Sequence, residues 1–134
     1  MLNDKRPTVA SVFGVLNTIL GGLGTLQGVL GITIFFKSYG MFGGSIYIAN
    51  ALAYAFSLFT GLLLLMNKKN AVALAQIQAT LAILISTSMG VFLFFTGYGV
   101  LTGILAIILG SFHPVLLIFL VVRNAKVRKF YDAR

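Results

Sequence analysis

Residues 8–36 read TVASVFGVLNTILGGLGTLQGVLGITIFF and contain no charged side chain. A helix needs roughly 20 apolar residues to cross a hydrocarbon core about 30 Å thick, so this stretch is long enough for a complete crossing. Three later stretches have the same character: 45–66, 71–95 and 98–122. Their apolar residues are continuous rather than alternating, which favours helices over the strands of a membrane barrel. The sequence therefore predicts an all-α membrane protein, a four-transmembrane-helix bundle with short loops in a single membrane domain.

The composition of the whole chain indicates the same class. Hydrophobic residues make up 59% of the 134 positions and charged residues 9%, whereas about 25% of the residues of a soluble domain are charged. The polar segments are too short to form a separate catalytic domain. The chain has no cysteine, which excludes disulfides, zinc–thiolate centres and iron–sulfur clusters. A signal peptide is not favoured, because the first apolar run far exceeds the roughly 7–15 residues of a signal-peptide core.

Lysine and arginine are distributed unevenly about the four predicted crossings. The N-terminal tail and the second loop each carry two, the C-terminal tail 123–134 carries five, and the first loop carries only Lys37. Basic residues are retained on the cytoplasmic side, so both termini are predicted to be cytoplasmic, and the tail is expected to continue the fourth helix. This placement explains the net charge of +8 without a nucleic-acid partner. We expect contacts with anionic lipid headgroups from Lys5, Arg6, Lys68, Lys69, Arg123, Lys126, Arg128 and Lys129.

Small residues recur at helical spacing in the first and fourth predicted spans. In the first span, Ala10 and Asn17 share a stripe with five glycines, and in the fourth span three glycines share one with Ala106 and His113. Spacings of four and three residues place each set on one helix face. Helices in lipid associate through close packing of small residues, so we predict packing faces at Gly14, Gly21, Gly24, Gly28, Gly31, Gly99, Gly103 and Gly110. The two stripes could pack against each other, or each could meet another subunit.

Uncharged polar residues fall at a similar depth in all four spans. At a rise of about 1.5 Å per residue, Asn17, Ser57 and His113 lie well inside the cytoplasmic ends of their spans, with Gln76 and Gln78 slightly nearer the surface. Polar groups within a membrane normally face the bundle interior and pair with one another. We therefore predict a hydrogen-bonded polar layer of these five residues, in which His113 meets Asn17. The alternative is that they only hold the helices together.

His113 is the only histidine of the chain, and Pro114 follows it. Proline lacks the amide hydrogen that would otherwise bond the carbonyl of Gly110. The histidine could fill the resulting kink, take part in protonation or substrate contact, or ligate an iron or magnesium. A haem or chlorin would need a second ligand from a partner subunit, so no cofactor other than lipid is predicted. A smaller polar face in the second span could join the layer: Asn50, Tyr54, Ser57 and Gly61.

The only acidic residues are Asp4 and Asp132, both in the tails. No carboxylate is therefore available within the membrane for cation coupling, a metal site or two-carboxylate hydrolysis, and there is no glycine-rich phosphate loop. These absences predict a non-catalytic protein, an accessory or scaffolding subunit packed into a larger membrane complex through its glycine-rich faces. Two alternatives are an oligomeric channel or carrier for a neutral or anionic solute, using the polar layer around His113, and a pore-forming or membrane-stress protein.

The start of the chain resembles short multi-span bacterial proteins without an assigned function. The resemblance lies in Arg6-Pro7-Thr8, in Phe13-Gly14 and in Leu16-Asn17 with the glycines that follow, and it implies no activity. It implies a bacterial inner (plasma) membrane. The expected partners are membrane lipids and either other membrane subunits or further copies of the chain.

Overall fold

The computed structural model describes residues 5–134, so Asp4 lies outside the described residues. Helices account for nearly all of this part of the chain, and it contains no strand. The elements are α1 (Thr8–Leu65), α2 (Ala71–Phe95), α3 (Val100–Leu117), a π-helical turn (Ile118–Val122) and α4 (Ala125–Asp132). Within residues 5–134, three segments are long and apolar enough to cross a membrane: Thr8–Leu65, Ala71–Phe95 and Val100–Val122. The all-α prediction is confirmed, and the helices are of the kind that an integral membrane protein requires.

α1 contains 58 residues and is bent at Gly40. Gly40 has φ 63° and ψ −158°, a backbone conformation that glycine adopts without the steric cost of a side chain. The segments on either side of the bend pack closely against each other. A Cβ atom added to Gly21 would lie 2.3 Å from the backbone nitrogen of Leu58, and one added to Gly28 would lie 2.5 Å from the Cβ of Ala51. α1 is therefore an antiparallel helical hairpin with an outgoing limb, 8–39, and a returning limb, 41–65.

The bend is tighter than the glycine-rich sequence suggests. The predicted connection, 37–44, is helical on both sides of Gly40, which is the only residue of α1 with non-helical backbone angles. Gly43 is buried, and a Cβ added to it would lie 2.4 Å from the Cβ of Tyr39. The glycine therefore allows close packing beside the bend rather than forming a flexible loop.

α2 and α3 are joined by a second short connection, which changes the interpretation of Gly99. Gly97 and Gly99 have φ values of 86° and 87°, in the left-handed region that favours glycine. The sequence predicts a helix from residue 98 with Gly99 on its packing face, but α3 begins at Val100 and a Cβ added to Gly99 would meet nothing within 4 Å. Gly99 is thus a turn residue rather than a helix-packing residue.

The small-residue stripes of the outgoing limb and of α3 pack on the helices that are adjacent in sequence. The nearest neighbours are Leu65 for Gly14, Tyr54 for Gly24, Tyr47 for Gly31, Phe94 for Gly103 and Ser86 for Gly110. The structure therefore does not pair the glycines of the two stripes with each other. The reason is chain connectivity: a one-residue bend and a short loop make consecutive helical segments antiparallel neighbours, and the small residues let these neighbours approach closely.

α4 covers the end of the bundle at which α1 begins. Its Val127 and Tyr131 are 0% exposed and belong to an apolar cluster that includes Ala10, Leu64 and Val121. The Tyr131 hydroxyl donates a hydrogen bond of 2.6 Å to the carbonyl of Leu64. Burial raises the pKa of this phenol, which favours the protonated form that donates. α4 is therefore part of the packed structure.

The separate helix α4 corrects the prediction that the tail extends the fourth helix. Asn124 interrupts the helix after the π-helical turn, and its Oδ1 accepts hydrogen bonds from the backbone N–H groups of Lys126 and Val127, at 3.0 and 3.4 Å. These bonds form an N-cap. A new helix consequently starts at Ala125 and folds back on the bundle.

Candidate functional site

A hydrogen-bonded network of uncharged side chains lies inside the bundle and is centred on Asn17, which is 0% exposed. The Nδ2 of Asn17 donates to Oε1 of Gln78 at 3.3 Å and to Oγ1 of Thr60 at 3.4 Å. Its Oδ1 lies 2.5 Å from Nε2 of His113. The outgoing limb, the returning limb, α2 and α3 therefore each contribute one side chain to this network, which we call the Asn17 network.

The small-residue stripe of α1 explains why Asn17 reaches the returning limb. Gly14 and Gly21 lie one turn before and after it on the same face, and their missing side chains let the limbs approach closely. Ser57 donates from Oγ to the backbone carbonyl of Asn17 at 3.5 Å, and Thr60 donates to the carbonyl of Ser57 at 3.0 Å. Ser57 and Thr60 of the returning limb therefore both have partners at this crossing.

His113 is held by contacts on two sides. Its ring stacks on that of Phe13, with 5.5 Å between the ring centroids and an angle of 26° between the planes. Its Nε2 meets Asn17, and Pro114, the next residue, is buried. The imidazole consequently faces the bundle interior, and α3 meets the outgoing limb through this ring.

A cavity of about 210 Å³ adjoins the Asn17 network on the side away from α4. Its apolar wall includes Leu20, Ala53, Ala82 and Leu109. Its polar lining comes from the returning limb, α2 and α3: Asn50, Tyr54, Ser57, Gln78, Ser86 and His113. Sites for drug-sized ligands have volumes of about 300–1,000 Å³, so this cavity suits a smaller molecule. It is lined by no carboxylate, lysine or arginine.

Gln76 does not join the network, although the sequence places it in the polar layer. Its side chain is exposed on the outer surface of α2, beside Ile77 and Thr80, whereas Gln78 is 3% exposed and bonded to Asn17. Residues two apart in a helix do not share a face. Depth alone cannot distinguish them, because it gives the level of a residue in the membrane and not its direction.

Three residues of the site were absent from the predicted layer. Thr60 lies three residues after Ser57, so helical spacing places both on one face, and this signal could have identified it. Ser86 follows Gln78 by eight residues, also on one helix face. No sequence signal indicates the stacking of Phe13 on His113.

The basic residues assigned to lipid headgroups lie at the end of the bundle that α4 covers or in the connections there. Seven of them are exposed and Arg6 is half-buried: Lys5, Arg6, Lys68, Lys69, Arg123, Lys126, Arg128 and Lys129. Lys37 precedes the bend of α1 at the opposite end. Among the described residues, the bundle is thus strongly basic at one end only.

No cluster of metal-ligating side chains is assembled in residues 5–134. This part of the chain contains no group of three or more His, Cys, Asp or Glu side chains placed to hold a metal ion. The Nε2 of His113 is engaged by Asn17, so ligation through this atom would break the network. The site is built for hydrogen bonding by uncharged groups.

Comparison with protein-family models, with curated proteins and with solved structures finds no match for this chain. Its function therefore has to be argued from the geometry and chemistry of its own site. The site consists of the Asn17 network and the uncharged cavity beside it.

Proposed function

We propose that this chain is a non-catalytic, multi-pass membrane protein that takes a small uncharged solute into its interior and carries it across the bilayer. The main observation in support of this proposal is the cavity of about 210 Å³ beside the Asn17 network. Polar groups within a membrane are costly and commonly mark the path of a substrate. Six uncharged polar side chains line this one space, and the absence of charge from its walls favours a neutral solute over an ion.

Four crossings with both termini in the cytoplasm are the membrane arrangement we propose. Each limb of α1 is longer than the roughly 20 residues that one crossing needs, and α2 and α3 with its π-helical turn supply two more. The basic end at α4 would face the cytoplasm, and the bend near Lys37 would face outward. The resemblance at the start of the chain supports a bacterial inner membrane.

An accessory role in a larger membrane complex has less support from the geometry. That role relies on the glycine-rich faces as surfaces for other subunits. Gly14, Gly21, Gly24 and Gly28 are buried in the hairpin of α1, and Gly103 is buried against α2. These faces are occupied within the chain, so a larger assembly would have to use other surfaces.

Solute flux tests the proposal directly. Liposomes containing the purified protein should swell faster than protein-free liposomes in at least one of glycerol, urea and acetamide, as measured by stopped-flow light scattering. Ala82→Leu places a larger side chain in the cavity wall and should slow swelling several-fold. Ala73→Leu, on the exposed surface of the same helix, is the control and should transport like the wild type. The proposal fails if the wild type adds no permeability, or if the two variants transport equally.

A further inference from the structure

The polar atoms of the cavity indicate which solutes it would accept. We propose that it recognises an uncharged molecule carrying a hydrogen-bond donor and a hydrogen-bond acceptor, of the primary amide or urea class. This inference rests on the proposed function, because it requires a solute to enter the cavity. It depends on which atoms of the Asn17 network carry hydrogen.

Thr60 fixes the orientation of the Asn17 amide. A threonine hydroxyl has one proton, and Thr60 donates it to the carbonyl of Ser57 at 3.0 Å. Towards Asn17 its oxygen can therefore only accept. The atom of Asn17 that faces Thr60 must therefore be the donor Nδ2. In the structure, Nδ2 lies 3.4 Å from Oγ1 of Thr60. The carbonyl oxygen Oδ1 then faces His113.

The amide orientation in turn fixes the tautomer of His113. Asn17 Oδ1 can only accept, so the imidazole nitrogen beside it, Nε2, must carry the hydrogen. Among residues 5–134, Asp132 is the only acidic residue and lies in α4, so no carboxylate stabilises a charged ring within the bundle and the neutral form is favoured. In a neutral imidazole with hydrogen on Nε2, Nδ1 is a bare acceptor. No protein group of the described chain is bonded to it.

Gln78 supplies the complementary donor. Its Oε1 accepts from Asn17 at 3.3 Å, so its two amide hydrogens on Nε2 point away from that bond. Within the described chain no protein acceptor meets them, although the side chain is only 3% exposed and lines the cavity. The unpaired atoms that are fully buried within the described chain belong to Arg6, Asn67 and Ser111. Nε2 of Gln78 therefore keeps some accessible surface, through which it can donate to a ligand in the cavity that Gln78 lines.

Gln78, with its unpaired donor, and His113, with its unpaired acceptor, both line the same small cavity. A primary amide or a urea presents an oxygen that accepts and an N–H that donates, and therefore complements both. A tertiary amide of similar size can accept from Gln78 but cannot donate to His113. The cavity should distinguish these two classes of solute.

Because His113 is the only histidine of the chain, every histidine signal in a nuclear magnetic resonance spectrum belongs to it. In protein labelled with [15N]histidine, long-range nitrogen–proton correlation spectra should show hydrogen on Nε2 and a bare Nδ1. Titration with acetamide should shift the Nδ1 resonance saturably, whereas N,N-dimethylacetamide should leave it in place. A spectrum with the hydrogen on Nδ1 overturns the proton assignment. An Nδ1 resonance that ignores acetamide, or responds equally to both amides, overturns the proposed recognition.

A variant separates recognition from folding. His113→Gln can keep an N–H near the position of Nε2 for Asn17 but has no acceptor at the position of Nδ1. It should weaken acetamide binding about two- to tenfold, the effect of one lost hydrogen bond, and leave dimethylacetamide binding unchanged. Ser88→Ala, on the exposed surface of α2, should bind acetamide like the wild type. An acetamide affinity unchanged in His113→Gln contradicts the assignment.

The outcome is distinguishable from a failure of the proposed function. An Nδ1 response to acetamide in a protein that adds no solute flux to liposomes would overturn the carrier role and support the binding site. Flux that is blocked by Ala82→Leu, in a protein whose Nδ1 ignores acetamide, would support the carrier and overturn the recognition by donor and acceptor.

Discussion

Asn17 bonds to three other helical segments through one amide group. Its Nδ2 reaches Thr60 and Gln78, and its Oδ1 reaches His113. Without Asn17, Gln78 and His113 would each lose the side-chain hydrogen bond that they make in the described chain. The residue therefore determines the proton pattern of the site as well as the crossing of the helices.

Removing this amide should destabilise the bundle. Asn17→Ala leaves Gln78 and His113 each without its side-chain partner, and the cost of leaving buried polar groups unpaired is about 1–3 kcal/mol. Unfolding of the purified protein by heat or by sodium dodecyl sulfate should show this loss. The control is Thr80→Ala, because the Thr80 hydroxyl is exposed and bonds only the carbonyl of Gln76 in its own helix. Equal stability of the two variants would mean that the Asn17 network does not hold the helices together.

Part of this site follows from the sequence and part does not. Depth along the spans is enough to place Asn17 and His113 at one level, and the structure brings them together. The choice between Gln76 and Gln78 depends on the rotation of α2 about its axis. Alanines and Gly90 on the buried face of α2 set that rotation, and their pattern is weaker than the glycine stripe of α1.

At the scale of the helices, the sequence indicates which face packs but not which helix packs on it. Glycine spacing predicts a packing face on the outgoing limb, but it carries no information about the partner. The connections determine the partner. Because a single residue, Gly40, joins the two limbs of α1, the returning limb packs on the outgoing limb. The start of α4 could have been predicted from the sequence, since asparagine is a favoured N-cap residue and Asn124 occupies that position.

Two adjacent glycines allow a matched test of the hairpin of α1. A Cβ on Gly21 would lie 2.3 Å from the backbone nitrogen of Leu58, whereas one on Gly22 would meet nothing within 4 Å. Gly21→Ala should therefore destabilise the protein by about 1–3 kcal/mol through overpacking. Gly22→Ala should be neutral or stabilising by up to about 1 kcal/mol, because alanine favours the helix. Unfolding midpoints in the same detergent compare the two, and a ranking in the opposite order contradicts the hairpin packing.

At the scale of the whole molecule, the two ends of the bundle have different chemistry. One end is closed by α4 and carries the exposed basic residues. The other end carries aromatic contacts, among them the ring stacking of Phe35 on Tyr47 and the hydrogen bond between the hydroxyls of Tyr39 and Tyr98. The cavity lies between the Asn17 network and this aromatic end. In the carrier that we propose, a solute would enter from the aromatic side, and its release towards α4 would require the Asn17 network and the apolar cluster beneath it to open.

The orientation of the whole bundle can be tested because the chain has no cysteine of its own. Ser38→Cys lies beside the bend of α1, and Lys69→Cys lies in the connection before α2, and both positions are exposed. A maleimide that does not cross membranes should label Ser38→Cys in intact cells and Lys69→Cys only after permeabilisation. Leu84→Cys, in the middle of α2, should stay unlabelled in both because lipid covers it. Labelling of positions 38 and 69 from the same side would mean that the returning limb does not cross the membrane. The cavity that it lines could then not lie on a path between the two sides.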